Sequence, residues 1–224
     1  MTRVLEKDRL AANLDRLKGR IAAAAERAGR SPEGISLVAV TKTVGIPEVQ
    51  TLYELGVREF GENRLQAAQP KIEALGSAYT WHMIGPIQSR KTRDVATFFD
   101  YADAVDRWKV LSLLDEQCAA AEKRMPVLLE VNVSGEESKH GFKPDEVGDV
   151  LARSQTLENI MIKGLMTMAP LVEDTERVRP VFTRLRELAQ ELQLDTLSMG
   201  MSNDFEVAIE EGATQIRVGS LLFA

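Results

Sequence analysis

The sequence predicts one α/β domain over residues 1–224, folded as a (β/α)8 barrel. Eight short apolar segments alternate with segments of helical periodicity, a pattern typical of parallel strands joined by right-handed crossovers. Eight such units in 224 residues fit a compact barrel. A doubly wound open sheet is the alternative. The eighth predicted strand ends close to residue 224, so we expect the N-terminal helix to pack where an eighth outer helix would lie.

The elements follow in order from apolar spacing and from stop signals. The first helix is predicted from the stripe of Leu10, Leu14, Leu17 and Ile21, and it ends at Gly29. The first strand is the β-branched run before Lys42. The other predicted strands are residues 58–61, 80–84, 101–105, 126–132, 160–166, 196–198 and 215–218. Later helices are predicted at 47–55, 64–75, around 91–93, at 106–123, from 144, at 173–193 and at 203–212.

Two helix starts have predicted N-terminal caps. Asp106 is expected to cap the helix that follows the fourth strand. Asn203 and Glu206 have the spacing of a capping box for the short helix that ends at Gly212.

Composition narrows the class of protein. Lysine and arginine number 28 against 34 acidic residues, and the net charge of −6 argues against non-specific binding to nucleic acid or anionic membranes. The single cysteine, Cys118, can form no disulfide within the chain, which fits a reducing cytoplasm. No apolar run has membrane-spanning length, and residues 1–8 lack a signal-peptide core. Two histidines and one cysteine give no metal-ligand spacing.

Candidate chemistry collects at the carboxyl ends of the predicted strands, where barrel enzymes have their active sites. Lys42 ends the first strand, and a lysine there can present a reactive amine. The loops after strands seven and eight, residues 200–202 and 219–220, are small and polar, and this is the usual phosphate site of the fold. The alternative is that both loops are merely tight turns. A lysine beside a phosphate site suggests pyridoxal phosphate held as an imine.

Three other side chains have open roles. Arg217 on strand eight lies either inside the barrel mouth or in the helix layer, because side chains alternate along a strand. His82 on strand three is more typical of a hydrogen-bonded strand histidine than of a ligand. Lys163 on strand six is a rival amine, but it lies well before the end of its strand.

Seven segments carry a family resemblance along nearly the whole chain. They are residues 37–43 (LVAVTKT), 60–63 (FGEN), 81–88 (WHMIGPIQ), 131–134 (VNVS), 163–166 (KGLM), 197–202 (LSMGMS) and 217–219 (RVG). With them the sequence resembles the pyridoxal phosphate homeostasis protein family. The resemblance implies single-domain barrels related to the N-terminal domain of alanine racemase.

The resemblance also implies a cofactor and the residues that bind it. These residues are Lys42, Asn63, His82, Ser202, Arg217, Gly219 and Ser220. Lys42 would form the Schiff base, and Ser202 with the backbone of the Gly219–Ser220 turn would hold the phosphate. Arg217 would face the pyridine nitrogen, and Asn63 and His82 would line the pocket. No catalytic residue and no metal ligand is implied.

The chain departs from the family pattern at three positions. Arg90 stands where the family usually has asparagine, Ala67 where an acid is common, and Ala224 where glycine and a few more residues usually follow. These departures concern the edge of the expected pocket and leave its centre intact.

The expected function is to hold and buffer pyridoxal phosphate in the cytoplasm rather than to catalyse a reaction. An arginine opposite the ring nitrogen leaves that nitrogen unprotonated, which makes the ring a weak electron sink. Racemisation also needs a base on each face of the substrate, and none of the three tyrosines is placed for that role. The alternatives are an amino-acid racemase, or an aldolase that forms a Schiff base on Lys163 without pyridoxal phosphate. The expected state is a monomer or weak dimer that makes transient contacts with pyridoxal-phosphate-dependent enzymes.

Overall fold

Eight parallel strands close into a barrel in sequence order. The computed structural model describes residues 6–136 and 139–224. The strands are β1 (Ser36–Val40), β2 (Glu59–Glu62), β3 (Thr80–Met83), β4 (Tyr101–Val105), β5 (Met125–Glu130), β6 (Ile160–Met166), β7 (Thr196–Ser198) and β8 (Gln215–Val218). Each strand pairs with the next, and β8 closes the barrel against β1. The predicted barrel is confirmed, and the open sheet is excluded.

Helices alternate with the strands as expected, and a short helix that the sequence did not predict follows β8. They are α1 (Lys7–Arg27), α2 (Ile46–Glu54), α3 (Leu65–Leu75), α4 (Thr92–Phe98), α5 (Trp108–Ala120), α6 (Val147–Ser154), α7 (Arg179–Glu191), α8 (Phe205–Glu210) and α9 (Ser220–Phe223). The helix predicted at 173–193 is shorter than expected, because a 3-10 turn at Thr175–Val178 precedes α7. No helix in the described ranges is long and apolar enough to cross a membrane.

The N-terminal helix α1 completes the outer wall. It packs against α2, α8 and α9, and its predicted apolar stripe is buried. The side-chain amide of Asn13 donates to the carbonyl of Leu222 at 2.8 Å. On the same side Arg20 pairs with Glu206 of α8 at 2.8 Å. The expectation that α1 packs on the barrel where an eighth outer helix would lie is therefore confirmed.

Replacing Asn13 with alanine should loosen this wall. Asn13 is 3% exposed, so its loss leaves the Leu222 carbonyl buried without that donor. We expect the free energy of unfolding to fall by about 1–3 kcal/mol, measured by urea denaturation. The matched control is Asp15→Ala on the exposed face of the same helix, which should change stability by less than about 0.5 kcal/mol. Equal effects of the two substitutions would contradict this role for Asn13.

Both predicted caps are wrong. Helix α5 begins at Trp108, and the Asp106 carboxylate instead binds the Arg107 guanidinium at 2.6 Å. Helix α8 begins after Asp204, and Glu206 binds Arg20 of α1. In both places the carboxylate that local spacing assigned to a helix terminus binds an arginine instead. The arginine is the next residue in the first case and a residue of a distant helix in the second.

The main apolar core lies between the sheet and the helices. Large buried side chains such as Phe60, Trp81 and Leu114 fill this layer. Inside the barrel, Ala104, Leu128 and Met166 form a small apolar cluster of their own. Much of the remaining interior is polar and includes the buried side chains of Asp103, Ser198 and Arg217.

Candidate functional site

A cleft of about 520 Å³ opens at the carboxyl ends of the strands, a volume suited to a small cofactor. Its lining comes from the loops after β1, β2, β3, β6, β7 and β8. The lining residues are Val40, Lys42, Thr43, Asn63, Ile84, Gly85, Pro86, Met168, Ala169, Pro170, Leu171, Met201, Ser202, Asn203, Asp204, Arg217, Gly219 and Ser220. Six of the seven residues predicted to bind the cofactor therefore line one cleft.

Lys42 stands just beyond the end of β1 and is exposed to the cleft. The residue before it is fixed by a buried ion pair. The ammonium group of Lys71 on α3 donates to the Thr41 carbonyl at 2.7 Å and to Glu62 Oε1 at 2.6 Å. The Thr41 hydroxyl donates to the same carboxylate oxygen at 2.6 Å. Thr41, directly before Lys42, is thus held by two hydrogen bonds to the buried Lys71–Glu62 ion pair.

Arg217 lies inside the barrel, which decides between its two predicted positions. Arg217 is 4% exposed and forms part of the cleft floor. Nη1 donates to Ser198 Oγ at 2.6 Å and Nη2 donates to the Thr167 carbonyl at 2.9 Å. Burial lowers the pKa of Arg217, while the carboxylates of Asp103 and two other interior acids act against that shift. The guanidinium stays protonated, because arginine is not deprotonated in proteins.

A corner of small residues lies beside Lys42, because β8 pairs with β1. A Cβ atom at Gly219 would stand 2.9 Å from the Val40 carbonyl oxygen, so the backbone approach there depends on glycine. Ser202 and Ser220 add hydroxyl donors to the same cleft. The loop that holds Ser202 is closed by Asp204 Oδ1, which accepts from the Met201 amide at 2.6 Å. Burial raises the pKa of Asp204, and the Met201 amide opposes the rise.

Asn63 forms the wall on the side of β2 and β3. A Cβ atom at Gly85 would stand 2.4 Å from the Asn63 carbonyl oxygen. The glycine therefore lets the two loops pack directly against each other. This contact explains why Asn63 and the Gly85–Pro86 segment line the same part of the cleft.

The structure does not bring His82 to the cleft. Its ring is 1% exposed, stacks on Tyr101 with ring centroids 4.4 Å apart, and bonds Asp103 Oδ2 through Nδ1 at 2.9 Å. The ring forms part of a shallow bowl at the opposite end of the barrel, where Lys163 also lies. His82 points inward as strand alternation requires, but it stands too low in the barrel to line the mouth.

Sequence reasoning missed the loop after β6 and the buried lysine of α3. Met168 and Leu171 form an apolar wall of the cleft, and Leu171 is 83% exposed. The part of this loop at residues 168–172 (MAPLV) carries no polar side chain, so strand-end chemistry could not select it. Lys71 lies in the middle of a helix, where a lysine is ordinarily solvated.

Comparison with known proteins gives the family. Residues 12–224 match the family described as "Alanine racemase, N-terminal domain". The pyridoxal phosphate homeostasis protein of Pseudomonas aeruginosa is 43% identical over 217 residues, which cover 96% of this chain and 94% of that protein. The chain belongs to the pyridoxal phosphate homeostasis protein family. The resemblance seen in the sequence is thereby confirmed.

Solved structures agree with this placement in the pyridoxal phosphate homeostasis protein family. PipY of Synechococcus elongatus, solved with pyridoxal phosphate bound, is 32% identical with a TM-score of 0.84. The match covers 96% of this chain and all of that chain. Alanine racemase of Clostridium difficile is 14% identical with a TM-score of 0.77, over 96% of this chain and 59% of that one. That likeness shows a shared barrel fold.

Proposed function

We propose that this protein binds pyridoxal 5'-phosphate in the cleft and holds it as a Schiff base on Lys42. The observation that carries the proposal is the convergence of an exposed lysine, a buried arginine and a glycine–serine corner on one cleft of about 520 Å³. The relative PipY, which has pyridoxal phosphate bound in its structure, supports the same ligand.

The residues present fit this cofactor. Bound pyridoxal phosphate supplies an aldehyde that condenses with amines. Among the described residues that line the cleft, Lys42 is the single lysine. The hydroxyls of Ser202 and Ser220 and the unhindered backbone at Gly219 offer donors for a phosphate group. Arg217 can only donate hydrogen bonds, so it matches an unprotonated ring nitrogen.

The geometry favours holding the cofactor over catalysis. Apart from Lys42, the ionisable side chains among the described lining residues are Asp204 and Arg217, and Asp204 Oδ1 accepts the Met201 amide that closes its own loop. No tyrosine is among the described lining residues, and Tyr53 packs on Tyr79 at 4.3 Å. Proton abstraction on both faces of a substrate therefore lacks a second base. We infer a role in intracellular pyridoxal phosphate homeostasis: buffering the free aldehyde and exchanging it with its pool.

The same proposal includes the cellular compartment, the oligomeric state and the protein contacts. The protein would act in the cytoplasm as a monomer or weak dimer, and it would meet pyridoxal-phosphate-dependent enzymes in transient contacts. The aldolase alternative is less favoured, because Lys163 lies in the bowl at the far end of the barrel and outside the cleft.

Titration with the cofactor and with its dephosphorylated form tests the proposal. Pyridoxal phosphate should produce a yellow protein with one equivalent bound, and pyridoxal should bind at least about tenfold more weakly, because the charged hydrogen bonds to phosphate are missing. Alanine racemisation should be absent at the same protein concentration. A protein that stays colourless would overturn the proposal, and steady racemisation would favour the racemase alternative.

A further inference from the structure

A polar column of five hydrogen-bonded, buried side chains runs through the barrel from the cleft floor towards the opposite end. Arg217 Nη1 donates to Ser198 Oγ at 2.6 Å, and Gln215 Nε2 donates to the same oxygen at 3.0 Å. Gln215 Nε2 also donates to Asp103 Oδ2 at 2.7 Å, and His82 Nδ1 lies 2.9 Å from that oxygen. All five residues are between 0 and 6% exposed.

This polar column fills the barrel interior in an energetically unfavourable way. Branched apolar side chains usually pack the interior of the fold, and here Asp103 Oδ1 and His82 Nε2 have no hydrogen-bond partner among the described residues. Buried polar atoms without partners destabilise a fold. The interior therefore keeps a costly polar column where an apolar one would serve stability better.

The hydrogen bonds define which atoms carry protons. An ionised Asp103 carboxylate only accepts, so Gln215 must present its amide NH2 group and His82 must carry a proton on Nδ1. The two lone pairs of the Ser198 hydroxyl are then used by Gln215 and Arg217. Each member fixes its neighbour, and the column ends on the guanidinium of the cleft floor.

Electrostatic interactions within the same column shift the pKa values of its members. Burial lowers the pKa of His82, but the charge and hydrogen bond of Asp103 outweigh it and the pKa is raised overall. Asp103 also opposes the effect of burial on the pKa of Arg217, so one carboxylate acts on both side chains. Other charged or titratable groups near His82 or in the same bowl are Glu59, Asp100, Tyr101, Lys163 and Asp195.

We propose that this column positions the Arg217 guanidinium for the ring nitrogen of the cofactor, with His82 and Asp103 as positioning residues that never touch the ligand. Arg217 is held at two points, by Ser198 on one nitrogen and by the Thr167 carbonyl on the other. The guanidinium makes no other hydrogen bond to the described residues, and Arg217 lines the cleft. The inference rests on the proposed function, and it assigns to His82 an indirect role in place of the pocket-lining role expected from the sequence.

The first test uses the cofactor-free protein. The 15N shifts of His82 should show a proton on Nδ1, and a neutral ring protonated only on Nε2 would overturn the proposal without any variant. The Arg217 guanidinium N–H signals, assigned with Arg217→Lys, should be sharp and slow to exchange. His82→Phe keeps a ring against Tyr101 but removes the donor, and it should broaden those signals. His82→Asn places an amide donor near the old Nδ1 and should restore them.

The second test adds pyridoxal phosphate. The dissociation constant should rise about tenfold in His82→Phe and stay within about twofold of wild type in His82→Asn, with a shifted absorption maximum in the first variant alone. Leu114→Ala, in the outer layer on α5, controls for lost stability and should leave both readouts unchanged. Unaltered Arg217 signals in His82→Phe, or altered signals with unaltered cofactor affinity and spectrum, would overturn the proposal. Failure of the wild-type protein to bind pyridoxal phosphate would instead refute the proposed function, and the arginine signals would still decide whether the column positions Arg217.

Discussion

Replacing Lys42 with alanine is expected to abolish covalent attachment of pyridoxal phosphate. Lys42 is the lysine that lines the cleft among the described residues, and imine formation needs a primary amine. After borohydride reduction, wild-type protein should carry the reduced cofactor on the peptide that contains Lys42, and Lys42→Ala should carry none. Lys42→Arg should behave like alanine, because a guanidinium keeps the charge but cannot be deprotonated to attack the aldehyde.

The matched control is Lys163→Ala. Lys163 is also an exposed lysine from a barrel strand, but it lies in the bowl at the other end of the barrel. Its loss should leave both the yellow colour and the reduced adduct intact. An adduct that maps to Lys163, or one that survives in Lys42→Ala, would contradict the assignment of the attachment site.

Replacing Lys71 with methionine is expected to lower the free energy of unfolding by about 3–5 kcal/mol, because it leaves one partner of a buried ion pair uncompensated. The side chains of Lys71 and Glu62 are 10% and 0% exposed, and their charged atoms are 2.6 Å apart. Glu62 Oε2 already lacks a hydrogen-bond partner among the described residues. The substitution also removes the donor to the Thr41 carbonyl, so cofactor affinity should fall together with stability.

Two further variants separate the effect of burial on stability from the effect of losing one charge. Lys7→Met breaks a surface pair with Glu54 at a similar distance of 2.7 Å, and it should cost less than about 1 kcal/mol. The double substitution Lys71→Met, Glu62→Leu removes both charges and should recover most of the lost stability. Urea denaturation measures all three proteins. If the Lys71→Met variant is as stable as the Lys7→Met variant, the buried ion pair adds no more stability than a surface pair. That result would contradict its role in holding the backbone at Thr41 and Lys42.

The sequence by itself determined the barrel and most of its mouth. Alternation of apolar strands with periodic helices leaves few possible topologies, and the apolar stripe of α1 predicted which face of that helix is buried. Because parallel strands bring their carboxyl ends to one edge, residues as distant as Lys42 and Ser202 could be placed together from their positions after strands. The glycine–serine turn at 219–220 was found in the same way.

The tertiary structure decided what periodicity leaves open. Alternation shows which residues share a face of a strand, but the height of a side chain in the barrel depends on strand pairing and stagger. Arg217 was therefore undecided until the closed barrel placed it inside, and His82 was assigned to the mouth although it lies low in the interior. Lys71 belongs to the site through a contact between α3 and the end of β1. Its burial beside Glu62 arises only when distant segments pack, because no local pattern records which charge a folded neighbour will neutralise.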